Sequence, residues 1–140
     1  MSLAHYSLVA WQRADDLFIR LHQLSLKSFP ASERFELGSQ MRRAAFSVAV
    51  NIVEGIAYPV GRTRRKFLNV AQASLAEVGY CIHVALRLGY ISGDVANELE
   101  LTVKRVSAPL AGLRRSLRLQ LAAKTGGALV LVGALVVRFL

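Results

Sequence analysis

The sequence predicts an all-α protein: an up-down-up-down four-helix bundle, with assembly as a cyclic homo-oligomer expected on other grounds. Three observations lead to the bundle. Four successive segments repeat apolar residues at steps of three and four, the spacing that builds a buried stripe on a helix. Short breaker clusters, "SFPASE", "GIAYPVG" and "LGYIS", separate the segments, and connections that short join neighbouring antiparallel helices. No stretch with strand periodicity competes before residue 125. The 140 residues, 54% of them hydrophobic, suffice for one core.

The first helix is expected over about 8–28, with Ser7 as its N-cap. Trp11, Ala14, Phe18, Leu21 and Ser25 form its stripe, widened by Leu17 and Leu24, and Gln12, Asp16, Arg20, Gln23 and Lys27 lie opposite. The second, about 32–57, carries Leu37, Met41, Ala44, Ala45, Val48 and Ile52. The third, about 63–88, carries Phe67, Ala71, Leu75, Val78, Ile82 and Ala85, with Gly89 placed as its C′ residue. Ser92 then caps a fourth helix, about 92–121, carrying Val95, Leu99, Val103, Val106, Leu110, Leu113 and Leu117. Pro109 lies inside it, removes one backbone hydrogen bond at a cost of about 3 kcal/mol, and is expected to kink the helix near Arg105.

The bundle therefore occupies 1–124 and leaves an apolar tail, 125–140, "TGGALVLVGALVVRFL". Its uncharged run is shorter than the roughly 20 apolar residues a membrane span needs. Packing on the bundle or on a neighbouring subunit is expected, with contact to a membrane surface as the alternative; a membrane partner is otherwise unexpected.

The second helix, "SQMRRAAFSVAVNIVEG", is apolar on more sides than one bundle can cover. Phe46, Val50 and Val53 form a second stripe about 100° from the core positions, and Val70, Ala73, Val84 and Leu88 repeat the feature on the third helix. Soluble monomers avoid leaving such a patch in water, so self-association is expected. Gln40, Arg43, Ser47, Asn51 and Glu54 form a polar line on the second helix. Antiparallel register places Arg43 near Glu77, and Glu54 near Arg65 or Lys66. The expected oligomer interface is Arg43, Phe46, Val50, Asn51, Val53, Glu54 and Glu77. The same register keeps Glu54 and Glu77 too far apart for a shared acid–base site, and no enzymatic activity is expected.

Charge points to an anionic partner. Eighteen basic residues stand against nine acidic ones, a net +9. Arg62, Arg64, Arg65 and Lys66 open the third helix, and Arg114, Arg115, Arg118 and Lys124 close the fourth; in the expected topology all eight gather at one end. Cations at a helix C-terminus complement its dipole, which explains the second cluster. In a first turn they oppose it by about 0.3–1 kcal/mol each, so the first cluster has no stability rationale apart from a pair with Glu54. Nucleic-acid backbone, RNA or DNA, suits such a face. No aromatic stacking motif accompanies the arginines, so base readout is not expected.

Other chemistry is excluded by spacing. Cys81 stands alone, allowing neither an internal disulfide nor a multi-cysteine zinc site, and it reads as a small buried residue. His5, His22 and His83 are scattered, so no metal and no cofactor is expected. The opening residues lack a signal-peptide pattern, and a cytoplasmic location is expected.

"LVAWQRADDL", "SQMRRAAFSVAVNIVEG", "KFLNVAQASLAEV" and "LRLGYIS" together resemble the four-helix bundle family of 23S rRNA intervening-sequence proteins, related to the accessory variability determinant proteins of diversity-generating retroelements. The resemblance covers about residues 6–120. Its signature falls on Trp11, Gln40, Arg42, Arg43, Ala44, Ser47, Asn51, Glu54, Gly55, Phe67, Ser74, Glu77, Leu88, Gly89 and Tyr90. It implies a cytoplasmic bacterial bundle without enzymatic activity that forms a ring, typically a homopentamer, with nucleic acid and a reverse transcriptase or another protein as partners. Ala49 stands where the family often has proline, and Pro109 and the tail lie outside its pattern. The resulting expectation is a nucleic-acid-associated bundle or assembly scaffold. The alternatives are a protein-docking ring and peripheral membrane association through the tail.

Overall fold

The computed structural model describes the backbone of residues 3–139 and the side chains of residues 3–126. Four α-helices follow in order: α1 (Val9–Ser28), α2 (Leu37–Ala57), α3 (Arg62–Arg87) and α4 (Gly93–Phe139). Short 3-10 turns, Ala4–Ser7 and Ala31–Phe35, precede α1 and α2, and no strand occurs among the described residues. The all-α expectation is met, and so are most helix ends.

Two boundaries differ. Residues 31–35 wind as a 3-10 turn, so α2 begins at Leu37 instead of near 32. A Glu33 carboxylate oxygen accepts the Leu37 N–H at 3.0 Å, satisfying one of the amides that a helix start leaves open. At the other end, α4 stays helical past 121 to Phe139, passing through Gly126. The expected packing or membrane contact of the tail concerns side chains from 127 onward and lies outside the described residues.

The caps divide similarly. Ser92 Oγ accepts the Val95 N–H at 3.2 Å, as an N-cap should. Gly89 has φ +74°. Its N–H donates to Leu86 O at 3.0 Å and the Tyr90 N–H to Ala85 O at 2.9 Å, the pair of bonds that closes a helix through a left-handed residue. Ser7, by contrast, does not cap α1. It lies within the first 3-10 turn, bonded to Ala4 O at 3.1 Å, and Leu8 takes the cap position without a side-chain bond.

Each helix touches its sequence neighbours, and α1 meets α4; the broadest contact joins α2 and α3. Small residues make that approach close. Ala44, Ala45, Ala49 and Gly55 of α2 are buried, as are Ala71, Ser74 and Ala85 of α3. A Cβ at Gly55 would stand 3.1 Å from that of Phe67. Larger side chains fill the centre: Leu17, Leu21, Met41, Val48, Ile52, Leu68, Leu75, Val78, Ile82, Leu99, Val106 and Leu110 are fully buried. The stripes read from sequence are this core, except that Trp11, Phe18, Leu37, Phe67, Val95, Val103 and Leu113 flank it half-buried.

Pro109 lies in α4 as expected. The Arg105 carbonyl, four residues earlier, has no intrahelical donor because proline lacks an N–H. Arg13 of α1 supplies one, Nη1 to Arg105 O at 2.9 Å. One turn pair further along the same helix contact, Arg20 and Glu98 form an exposed bidentate ion pair at 3.2 and 3.3 Å. Its hydrogen bonds hold the Glu98 carboxyl below the usual value.

Candidate nucleic-acid interface

The turn from α2 to α3, Tyr58 to Gly61, delivers "RTRRK" at the start of α3, and the second half of α4 runs beside it. The eight basic residues expected at this end do not act as one group. Arg65, Arg114 and Arg118 line a cleft of about 220 Å³ between α3 and α4, floored by Leu68 and Leu117. Asn69 Oδ1 accepts from Arg114 Nε at 3.2 Å, which orients that guanidinium at the cleft. Arg62 and Lys66 continue the surface outward, sharing Arg65 and Asn69 with the cleft. None of the residues lining the cleft or its extension is acidic.

The remaining three are placed otherwise. Arg115 faces another side of α4, among Gly112, Ser116 and Leu119, and Lys124 is exposed farther along the helix. Arg64 turns back to the end of α2. Its Nε donates to Tyr58 O at 2.8 Å and its Nη2 to Ile56 O at 3.2 Å. The expectation that this cluster lacks a stability rationale is thereby corrected for Arg64: it satisfies the last carbonyls of α2 and sits at the favourable end of that helix's dipole.

Tyr58 is 45% exposed and stacks on Phe67, ring centroids 5.4 Å apart and planes within 15°. In the sequence it stands within the breaker cluster "GIAYPVG". The available signal is an aromatic residue four positions ahead of the basic run.

The expected interface residues lie on the outside of α2 and α3. Phe46 is 54% exposed, with Phe18 edge-on at 5.7 Å, and Val50 and Val53 are half-buried. Arg43, Glu54 and Glu77 are exposed. The ion pairs expected between Arg43 and Glu77, and between Glu54 and Arg65 or Lys66, do not form within the chain; among the described residues Arg20–Glu98 is the one pair in contact. Close approach of α2 and α3 selects short polar side chains instead. Ser47 and Ser74 hydroxyls meet at 2.8 Å, and Asn51 Nδ2 donates to Ser47 O and Oγ at 2.8 and 3.0 Å.

At the far end Arg42 clasps three elements, donating to Ser25 Oγ at 2.9 Å and Arg34 O at 2.7 Å. Tyr90 donates its hydroxyl proton to Glu33 at 2.9 Å, and that bond raises its pKa. Cys81 is buried, its thiol pushed up by desolvation and then by Glu77. No group of metal-binding side chains occurs among the described residues. Nor is any helix among them long and apolar enough to cross a membrane.

The fold and this surface define a small helical bundle with a cationic cleft between α3 and α4. The chain belongs to the 23S rRNA-intervening sequence protein family, whose pattern it matches over residues 6–112. Its fold is similar to a crystal structure from Bacteroides thetaiotaomicron, a protein with unknown function from the S23 ribosomal protein family. The two share 18% identity at a TM-score of 0.71, over 76% of this chain and 96% of that one. No curated protein matches the sequence. Several signature positions have structural duties here: Arg42, Ser47, Asn51 and Ser74 in half-buried polar contacts, and Gly55 and Gly89 where a side chain would crowd its neighbours or strain the backbone.

Proposed function

We propose that this protein is a non-enzymatic, cytoplasmic homo-oligomer whose cationic cleft binds the phosphates of nucleic acid with little base selectivity. The observation that carries the reading is the convergence of Arg65, Arg114 and Arg118, from two helices, on one acid-free cleft continued by Arg62 and Lys66. Guanidinium groups suit this task because each offers several donors in a fork that matches phosphate oxygens. An up-down-up-down course is supported by Arg13–Arg105 and Arg20–Glu98 between α1 and α4, and by Ser47–Ser74 and Gly55–Phe67 between α2 and α3; within each helix pair one residue number rises as the other falls. Self-association through the Phe46, Val50 and Val53 face is supported by the exposure of Phe46, and the family resemblance favours a pentamer. In a cyclic ring every cleft turns to the same side.

If five cations per chain reach phosphates, log affinity falls with log salt at a slope of about −3.5 on a single strand. The test is anisotropy of a labelled RNA across salt concentrations. Arg65→Glu, Arg114→Glu and Arg118→Glu together should abolish binding. Unchanged affinity and slope in that variant would refute the reading. The alternative of a protein-docking ring has the exposed apolar face in its favour, and a folded oligomer that binds neither RNA nor DNA would favour it.

A further inference from the structure

We propose that the strand bound at this surface is unpaired, and that Tyr58 is the platform on which one of its bases stacks. The inference rests on the nucleic-acid reading above and adds the class of ligand.

Tyr58 combines three properties at one place. Nearly half its surface is open, and Phe67 backs its ring in a near-parallel stack. Its own carbonyl is held by two nitrogens of Arg64. Backbone and ring are both fixed before any ligand arrives, so little further ordering is needed when a base lands on the free face. Arg64, counted from sequence among the phosphate contacts, becomes a positioning residue for Tyr58.

A track of cations runs around the same helix as Phe67. Phe67 directly follows Lys66 on α3. At 100° per residue, Val70, Lys66, Arg62, Asn69 and Arg65 succeed one another around the helix from Phe67 toward α4. Arg114 and Arg118 stand at the end of that arc. An aromatic face beside a track of cations is how proteins hold single strands: the track follows phosphates and the ring takes a base, whatever its identity. A duplex presents the same phosphates but keeps its bases stacked on one another, so it can engage the cations and not Tyr58.

The experiment compares a labelled RNA strand of mixed, non-self-complementary sequence with its duplex and with an abasic strand of equal length, using the full chain. Stacking of one base predicts that Tyr58→Ala weakens binding of the intact strand by about 5- to 150-fold. Duplex binding should be unchanged, and Tyr58→Phe should behave as wild type. The wild type should prefer the intact strand over the abasic one, and Tyr58→Ala should lose that preference. Equal binding of intact and abasic strands by the wild type overturns the proposal, even if Tyr58→Ala does not fold. So does an equal loss of strand and duplex in Tyr58→Ala. Equal strand and duplex affinities, untouched by Tyr58→Ala, overturn it while leaving the cationic cleft standing; binding of no nucleic acid at all overturns both.

Discussion

Pro109 and Arg13 offer a quantitative test of how α4 tolerates a proline. The bond from Arg13 Nη1 to Arg105 O replaces the one that residue 109 cannot make. Both partners are exposed, so Arg13→Met should cost about 0.5–1.5 kcal/mol, the usual net range for one hydrogen bond. For a chain of this length that corresponds to roughly 2–4 °C in Tm per kcal/mol. Pro109→Ala supplies the missing N–H and removes a penalty of up to about 3 kcal/mol, and should stabilise the protein. In the Pro109→Ala background Arg105 O is already satisfied, so Arg13→Met should cost about 1 kcal/mol less than in the wild type. Urea unfolding of all four proteins, at one fixed protein concentration, measures that coupling. Additivity within about 0.3 kcal/mol would refute the argument that Arg13 acts through the carbonyl freed by Pro109.

Three further outcomes are expected. A Cβ at Gly38 would meet Glu33 O at 2.8 Å, whereas one at Gly79 meets nothing within 4 Å; Gly38→Ala should lose about 1–3 kcal/mol and Gly79→Ala gain about 0.5–1, read by thermal unfolding. Arg20 holds the Glu98 carboxyl below its ordinary value, so the pair contributes stability above the unfolded carboxyl's pKa and loses it as pH falls through the depressed one. Glu98→Gln should flatten the acid limb by no more than about 1 kcal/mol, since the pair is exposed. The Cys81 thiol, raised by burial, should react with a disulfide reagent at pH 8 far more slowly in the native protein than in urea; equal rates would contradict its burial.

Much of this architecture was legible in the chain. Periodicity depends on which residues repeat, and repetition at three and four places them on one face whatever the neighbours are. Ser92 and Gly89 were readable for the same reason, because caps act within a few residues of themselves. The start of α2 was not, since it depends on Glu33 bonding the Leu37 N–H instead of continuing the helix backward. The α2–α3 pairings failed at Arg43, Glu54 and Glu77 because register constrains Cα positions and long exposed side chains stay solvated. The same register succeeded in bringing short groups, Ser47 and Ser74, together.

At the candidate site the division is similar. Sequence by itself determined that the chain is helical, strongly basic and in possession of two arginine-rich runs, because composition and local spacing carry that information. Tertiary structure alone decided that Arg65, Arg114 and Arg118 share a cleft, that Arg64 is turned inward to finish α2, and that Tyr58 lies open on Phe67. Those outcomes depend on how closely two helices approach and which carbonyls lack donors, quantities that exist only after the helices have packed.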